Sequence, residues 1–132
     1  MARTFGQMVA EAMAEVPGVS PAEARRRLQA DPDTLVVDVR DAADLAGTGM
    51  IPGAANVSLG TLTYKADHEV DPSWRDPRFA DWDRPILTHC ELGPMGALGA
   101  KLLKDMGYTN VAYIEGGAQA WVDAGLPTEP PK

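Results

Sequence analysis

Apolar residues first recur at helical intervals. Phe5, Met8, Val9, Ala12, Met13 and Val16 predict an amphipathic helix over residues 4–16, ended by Pro17-Gly18. Ser20-Pro21-Ala22-Glu23 is a capping box with proline at the first helical position, and it opens a short helix through about Gln29. After a turn at Asp31-Pro32, the unbroken run Leu35-Val36-Val37-Asp38-Val39 has the pattern of a strand covered on both faces. Asp41 to Leu45 reads as a short helix closed by Gly47 and Gly49, and Ile51 to Val57 as a turn leading into a brief strand. Residues 58–84 lack a period; Tyr64, Trp74, Phe79 and Trp82 suggest a loop with helical turns pinned by aromatic burial. Regularity returns with a strand from Ile86 to His89, a helix from Gly96 to Met106 capped by Gly107, and a strand from Val111 to Ile114. Gly116-Gly117 then makes a turn before a last helix, Ala118 to Ala124, capped by Gly125. Strands alternating with helices predict an α/β fold: a mostly parallel sheet with helices on both faces.

Composition narrows the function. At 132 residues the chain is long enough for one real core and too short for two. A net charge of −7 argues against a nucleic-acid groove, and the basic cluster Arg25-Arg26-Arg27 lies on a helix with acidic neighbours. No apolar run approaches membrane-spanning length, and the first residues lack a secretory signal, so a cytoplasmic setting is expected. A single cysteine forbids an intrachain disulfide and leaves too few thiolates for a zinc cage; no metal or organic cofactor is implied.

That cysteine, Cys90, falls where an apolar strand runs out into the loop Glu91-Leu92-Gly93-Pro94-Met95-Gly96 and a helix begins. A lone cysteine is ordinarily a small buried hydrophobe. Here the loop amides and the positive end of the following helix both favour a thiolate, which suits a nucleophile. Gly93 and Gly96 permit close approach of the backbone to an anion. Pro94 has no N–H, so at most five amides come from these six residues.

Four segments in order resemble the rhodanese-like domain, the fold of single-domain sulfurtransferases. They are Leu35 to Arg40 with its Asp-x-Arg ending, Gly49 to Val57, Cys90 to Ala100, and Gly116-Gly117-Ala118-Gln119-Ala120-Trp121. The resemblance implies a three-layer α/β domain over residues 19–132, with residues 1–18 as an N-terminal helical extension. It implies that Cys90 accepts sulfane sulfur as a persulfide from a small donor or a persulfide-bearing partner protein and passes it to a thiol or other nucleophile. Residues 91–96 would form the cradle. The charge needs of the strand end lead one to expect Asp38 and Arg40 to pair there. Two positions depart from the family pattern. Met95 stands where relatives usually carry arginine, and Met50 stands where they carry histidine; Glu91 adds a negative charge beside the thiol. A charge-assisted hydrogen bond to an anion contributes roughly 1.5–3 kcal/mol, so weak turnover with thiosulfate is expected, and better use of a less charged donor. Two other readings remain open: a non-catalytic module for protein binding, and a dual-specificity protein phosphatase. The latter shares the fold but uses a Cys-x5-Arg spacing whose arginine would fall at Gly96.

Other residues carry blander expectations. His89 alternates away from Cys90 and reads as a packed strand histidine, His68 as a solvated loop residue, and Trp121 as a core anchor. Lys65, Arg75 and Arg78 are candidates to supply the absent loop charge. The stripe Phe5/Met8/Met13 would cover the domain or meet a second copy.

Overall fold

The computed structural model describes residues 2–131. Five parallel strands form one sheet in the order β1-β5-β4-β2-β3: β1 (Gly18–Val19), β2 (Leu35–Asp38), β3 (Ala55–Asn56), β4 (Ile86–His89) and β5 (Val111–Ile114). The helices are α1 (Phe5–Glu15), α2 (Pro21–Ala30), α3 (Leu59–Lys65), α4 (Pro94–Met106) and α5 (Gly117–Asp123). The α/β expectation therefore holds, with helices on both faces.

Strand alternation divides the core in two. Leu35, Val37, Ile86, Val111 and Tyr113 face α1, α3 and α4, and pack with Ala12, Leu62, Ala97 and Leu103. Val36, Leu87, Ala112 and Ile114 face α2 and α5, and pack with Ala24 and Trp121. Trp121 is a core anchor, its indole N–H donating to the Pro127 carbonyl at 2.7 Å. No helix among the described residues is long and apolar enough to cross a membrane.

Several elements differ from the pattern-based expectation. Gly18, which with Pro17 reads as a helix stop, begins with Val19 an edge strand beside β5; two residues carry no period of their own. Leu59–Lys65, within the segment read as irregular, is a true helix that inserts Leu62 into the core. Of the aromatics in residues 58–84 only Phe79 is fully buried, while Tyr64 and Trp74 meet edge to face at the surface. On α1 the packed positions are Ala12 and Val16, with Val9 part-buried. Met8 and Met13 lie off that stripe and are exposed. The α1 segment nonetheless shares the main core and packs along α4.

α4 begins two residues earlier than the glycine pattern suggests, at Pro94 behind Gly93, whose φ of +119° turns the chain into the helix. Its first turn lies against the end of β4: Thr88 Oγ1 donates to the Gly96 carbonyl at 2.6 Å. A Cβ on Gly96 would sit 2.8 Å from His89 Cα. Alanine at a helical glycine ordinarily gains up to about 1 kcal/mol, but overlap of this kind costs about 1–3 kcal/mol. Gly96→Ala is therefore expected to lower the unfolding free energy by about 1 kcal/mol or more in urea titrations. A more stable variant would show that the helix and strand are not in such close contact.

Candidate active site

Chain direction across the sheet reverses between β2 and β4: β2 leads outward to β3, and β4 leads the other way to β5. Crevices at the carboxyl ends of strands flanking such a reversal are where open α/β sheets bind ligands. Cys90 follows β4 and Arg40 follows the neighbouring β2, so both stand at this point.

Cys90 is 5% exposed, and the residue forms part of the wall of a cavity of about 300 Å³. It is recessed rather than sealed. The Gly93 N–H donates to Sγ at 3.1 Å. The backbone around the thiol is fixed from behind by α5. Ala118 N–H donates to the Cys90 carbonyl at 2.8 Å and Gln119 N–H to the Glu91 carbonyl at 3.0 Å. A Cβ on Gly117 would lie 2.5 Å from that Cys90 carbonyl, so only glycine permits the approach. The Gly116-Gly117 pair, read from the sequence as a plain turn, is thus a clamp on the active loop. The double glycine was the available signal, since both residues hold positive φ.

Of the loop residues, Glu91, Leu92, Pro94 and Met95 line the cavity with Cys90. Gly93 is buried beneath them and Gly96 packs inward on β4. Asp38 and Arg40 pair, as the charge needs of the strand end lead one to expect: Arg40 Nη2 meets Asp38 Oδ2 at 2.7 Å, with both side chains almost wholly buried. Asn56 Nδ2 secures the turn between them by donating to the Asp38 and Arg40 carbonyls. Arg40 does more than hold the strand end, because its guanidinium also lines the Cys90 cavity and Nη1 lies 3.5 Å from Glu91 Oε1. Burial opposes its charge, but hydrogen bonding and attraction to Asp38, with Glu91 and Cys90 beyond, hold its pKa above the ordinary value.

The expected substitutes for a loop cation are elsewhere. Arg75 donates to the Val70 carbonyl, Arg78 pairs with Asp76, and Lys65 borders a separate hollow beside Tyr64 and Trp74. The guanidinium nearest the thiol is Arg40, which the strand motif had marked as structural only. His68 is half-buried and does not line the Cys90 cavity. It stacks on Trp82 with ring centroids 3.7 Å apart and bonds the Phe79 carbonyl.

His89 is a packed strand histidine, as its alternation predicted, and it sits under the loop. Its Nδ1 lies 2.9 Å from the Cys90 carbonyl, which can only accept, so Nδ1 carries the proton. Nε2 faces Asp38 at 3.6 Å without a hydrogen bond, the one buried side-chain nitrogen or oxygen so placed among the described residues.

Comparison with known proteins places the arrangement. The model of the rhodanese-like domain matches residues 20–124. The thiosulfate sulfurtransferase GlpE of Pseudomonas entomophila is 34% identical over 109 residues, 83% of this chain and 87% of that protein. A Rhodopseudomonas palustris protein of unknown function, described as a possible tyrosine phosphatase, superposes with a TM-score of 0.89 at 34% identity, over 98% of this chain and 96% of its own. The polysulfide-sulfur transferase homodimer of Wolinella succinogenes gives 0.73 at 28% identity, over 96% and 87%.

Burial pushes the His89 pKa below its ordinary 6.5; Asp38 and the Cys90 carbonyl oppose this, and Arg40 adds to it. The unfolded chain therefore takes up a proton below pH 6.5 that the folded chain refuses, and stability falls as pH falls through that value. The expected slope is at most about 1.4 kcal/mol per pH unit. Urea titrations between pH 5 and 6.5, above the carboxylate range, should show this slope in the native protein and its loss in His89→Gln. An unchanged slope in the variant would assign the proton elsewhere.

Proposed function

The chain belongs to the rhodanese-like domain family, and on that footing we propose that it accepts sulfane sulfur on Cys90 as a persulfide and passes it to an acceptor thiol. Sulfurtransferase relatives support the general class. The observation that carries the finer reading is Cys90 at the wall of an open cavity with a main-chain N–H aimed at its sulfur.

In the proposed reaction the Cys90 thiolate attacks the outer sulfur of the donor. A new S–S bond forms at Cys90 while the donor's own bond to that sulfur breaks, and the donor leaves with the electron pair. An acceptor thiolate then attacks the terminal sulfur and releases Cys90 as thiolate. The extra sulfur is anionic, and main-chain N–H groups at the start of α4 suit it. Arg40 contributes a positive charge from the opposite wall, although most of its donors are committed to Asp38, Thr48 and the Gly49 carbonyl.

The phosphatase reading has a structural neighbour in its favour, but the local chemistry opposes it. The position that would carry its arginine is Gly96, packed against β4 with no room for a side chain. Phosphoryl transfer depends on neutralising developing charge, and Asp41, Asp44 and Glu91 line the cavity with only Arg40 against them. No hydrolysis of p-nitrophenyl phosphate above the buffer blank is expected.

Intact-mass measurement after incubation with a persulfide donor should show a gain of one sulfur atom, absent in Cys90→Ser. No gain from any donor would favour the protein-binding module instead. Met95 lines the cavity in the first turn of α4, so Met95→Arg should raise kcat/KM for thiosulfate roughly tenfold or more. An unchanged value would show that charge does not limit the site.

A further inference from the structure

α1 lies outside the matched family region, which begins at residue 20, yet it supplies Phe5 to the wall of the Cys90 cavity. This placement is built rather than incidental. Thr4 caps the helix reciprocally with Gln7: the Gln7 N–H donates to Thr4 Oγ1 at 3.1 Å and the Thr4 N–H to Gln7 Oε1 at 2.8 Å. The first turn, where Phe5 is the first helical residue, is thereby fixed. The far end is held on α4 by Ala12 and Val16 in the core, and by Lys101 and Lys104, which bond the Glu15 carboxylate and carbonyl. Phe5 is nevertheless 53% exposed, and two further apolar residues of the same cavity, Leu92 and Met95, are 67% and 37% exposed. Among the described residues, nothing covers Phe5 and Leu92 fully.

Side-chain charge disfavours one kind of occupant. Asp41, Asp44 and Glu91 border the cavity, while Arg40 is largely committed to Asp38, so the side chains weigh against the second charge of a compact inorganic dianion. A volume of about 300 Å³ is also at the lower end of what organic ligands occupy. We propose that Phe5 is a specificity-determining residue, and that the sulfur donor is an organic sulfane compound whose apolar body packs on Phe5 and which carries at most one negative charge. This rests on the sulfur-transfer reading of Cys90. For a thiosulfonate donor the step balances simply: the thiolate attacks the sulfane sulfur, the donor S–S bond breaks, the sulfinate leaves with the electron pair, and Cys90 retains a persulfide anion.

Benzenethiosulfonate and methanethiosulfonate share one reacting head and differ in the apolar body, which makes them the test. With cyanide as acceptor, thiocyanate release should give a higher kcat/KM for the phenyl donor, and Phe5→Ala should reduce the phenyl-to-methyl ratio roughly three- to tenfold. Phe5→Leu should keep most of the preference. Equal values for the two donors in the native protein, or an unchanged ratio in a folded Phe5→Ala protein, would overturn the proposal while leaving sulfur transfer intact. Calorimetric binding of the products provides a readout that needs no turnover. Benzenesulfinate should bind more tightly than methanesulfinate, and lose that advantage in Phe5→Ala. If no donor yields thiocyanate but this difference persists, the transfer reading falls and the Phe5 subsite stands; if neither appears, both fall.

Discussion

The site depends on where the Cys90 carbonyl points. It accepts from Ala118 N–H at the start of α5 and from His89 Nδ1, so it is directed away from the cavity. With the carbonyl secured on that side, the Gly93 N–H reaches the sulfur. A carbonyl facing the thiol would present a partial negative charge beside the anion that the proposed transfer places there. The hydrogen bonds behind the loop therefore set the polarity in front of it. The approach of α5 is one that a side chain would obstruct, which is why Gly117 stands at the contact.

A second level of control lies one strand away. Asp38 and Arg40 are buried together at the end of β2, and a pair in that condition is maintained by mutual hydrogen bonding rather than by solvent. Removing one member of a buried pair generally costs about 3–5 kcal/mol, because the other is left uncompensated. The same guanidinium lines the cavity with Cys90, so the cation available there is one that folding has already fixed. It can attract charge at the wall but cannot swing across the cavity as a free side chain would. Glu91, half exposed on the loop, shares it.

Much of this was legible in the sequence because it rests on local signals. The β-branched runs, the serine cap at Ser20 and the glycine stops locate the central strands and most helices. The strand–Cys–loop–helix order places Cys90. What was not legible came from contacts between distant segments. β1 is too short to show a period and exists because the Pro17 carbonyl accepts from Tyr113 N–H in β5 and the Val19 carbonyl from Glu115 N–H just beyond it. The cation at the cavity was sought among surface residues 65, 75 and 78, since nothing in the Asp-x-Arg spelling reveals that the arginine also faces the following loop. Phe5 belonged to an evident apolar stripe, but only the packing of α1 along α4 brings its ring to the cavity rather than into the core. His68 likewise found its partners through Trp82 and Tyr108, remote in sequence.

Having one thiol, set back behind Phe5, Leu92 and Met95, bears on how the molecule withstands oxygen. The chain holds no other cysteine to form an internal bridge. A disulfide to a second copy would have to bring the two Cα atoms within about 7 Å of each other, which a residue 5% exposed opposes. Oxidation at this thiol is therefore directed toward small oxidants and the stepwise ladder of a single sulfur.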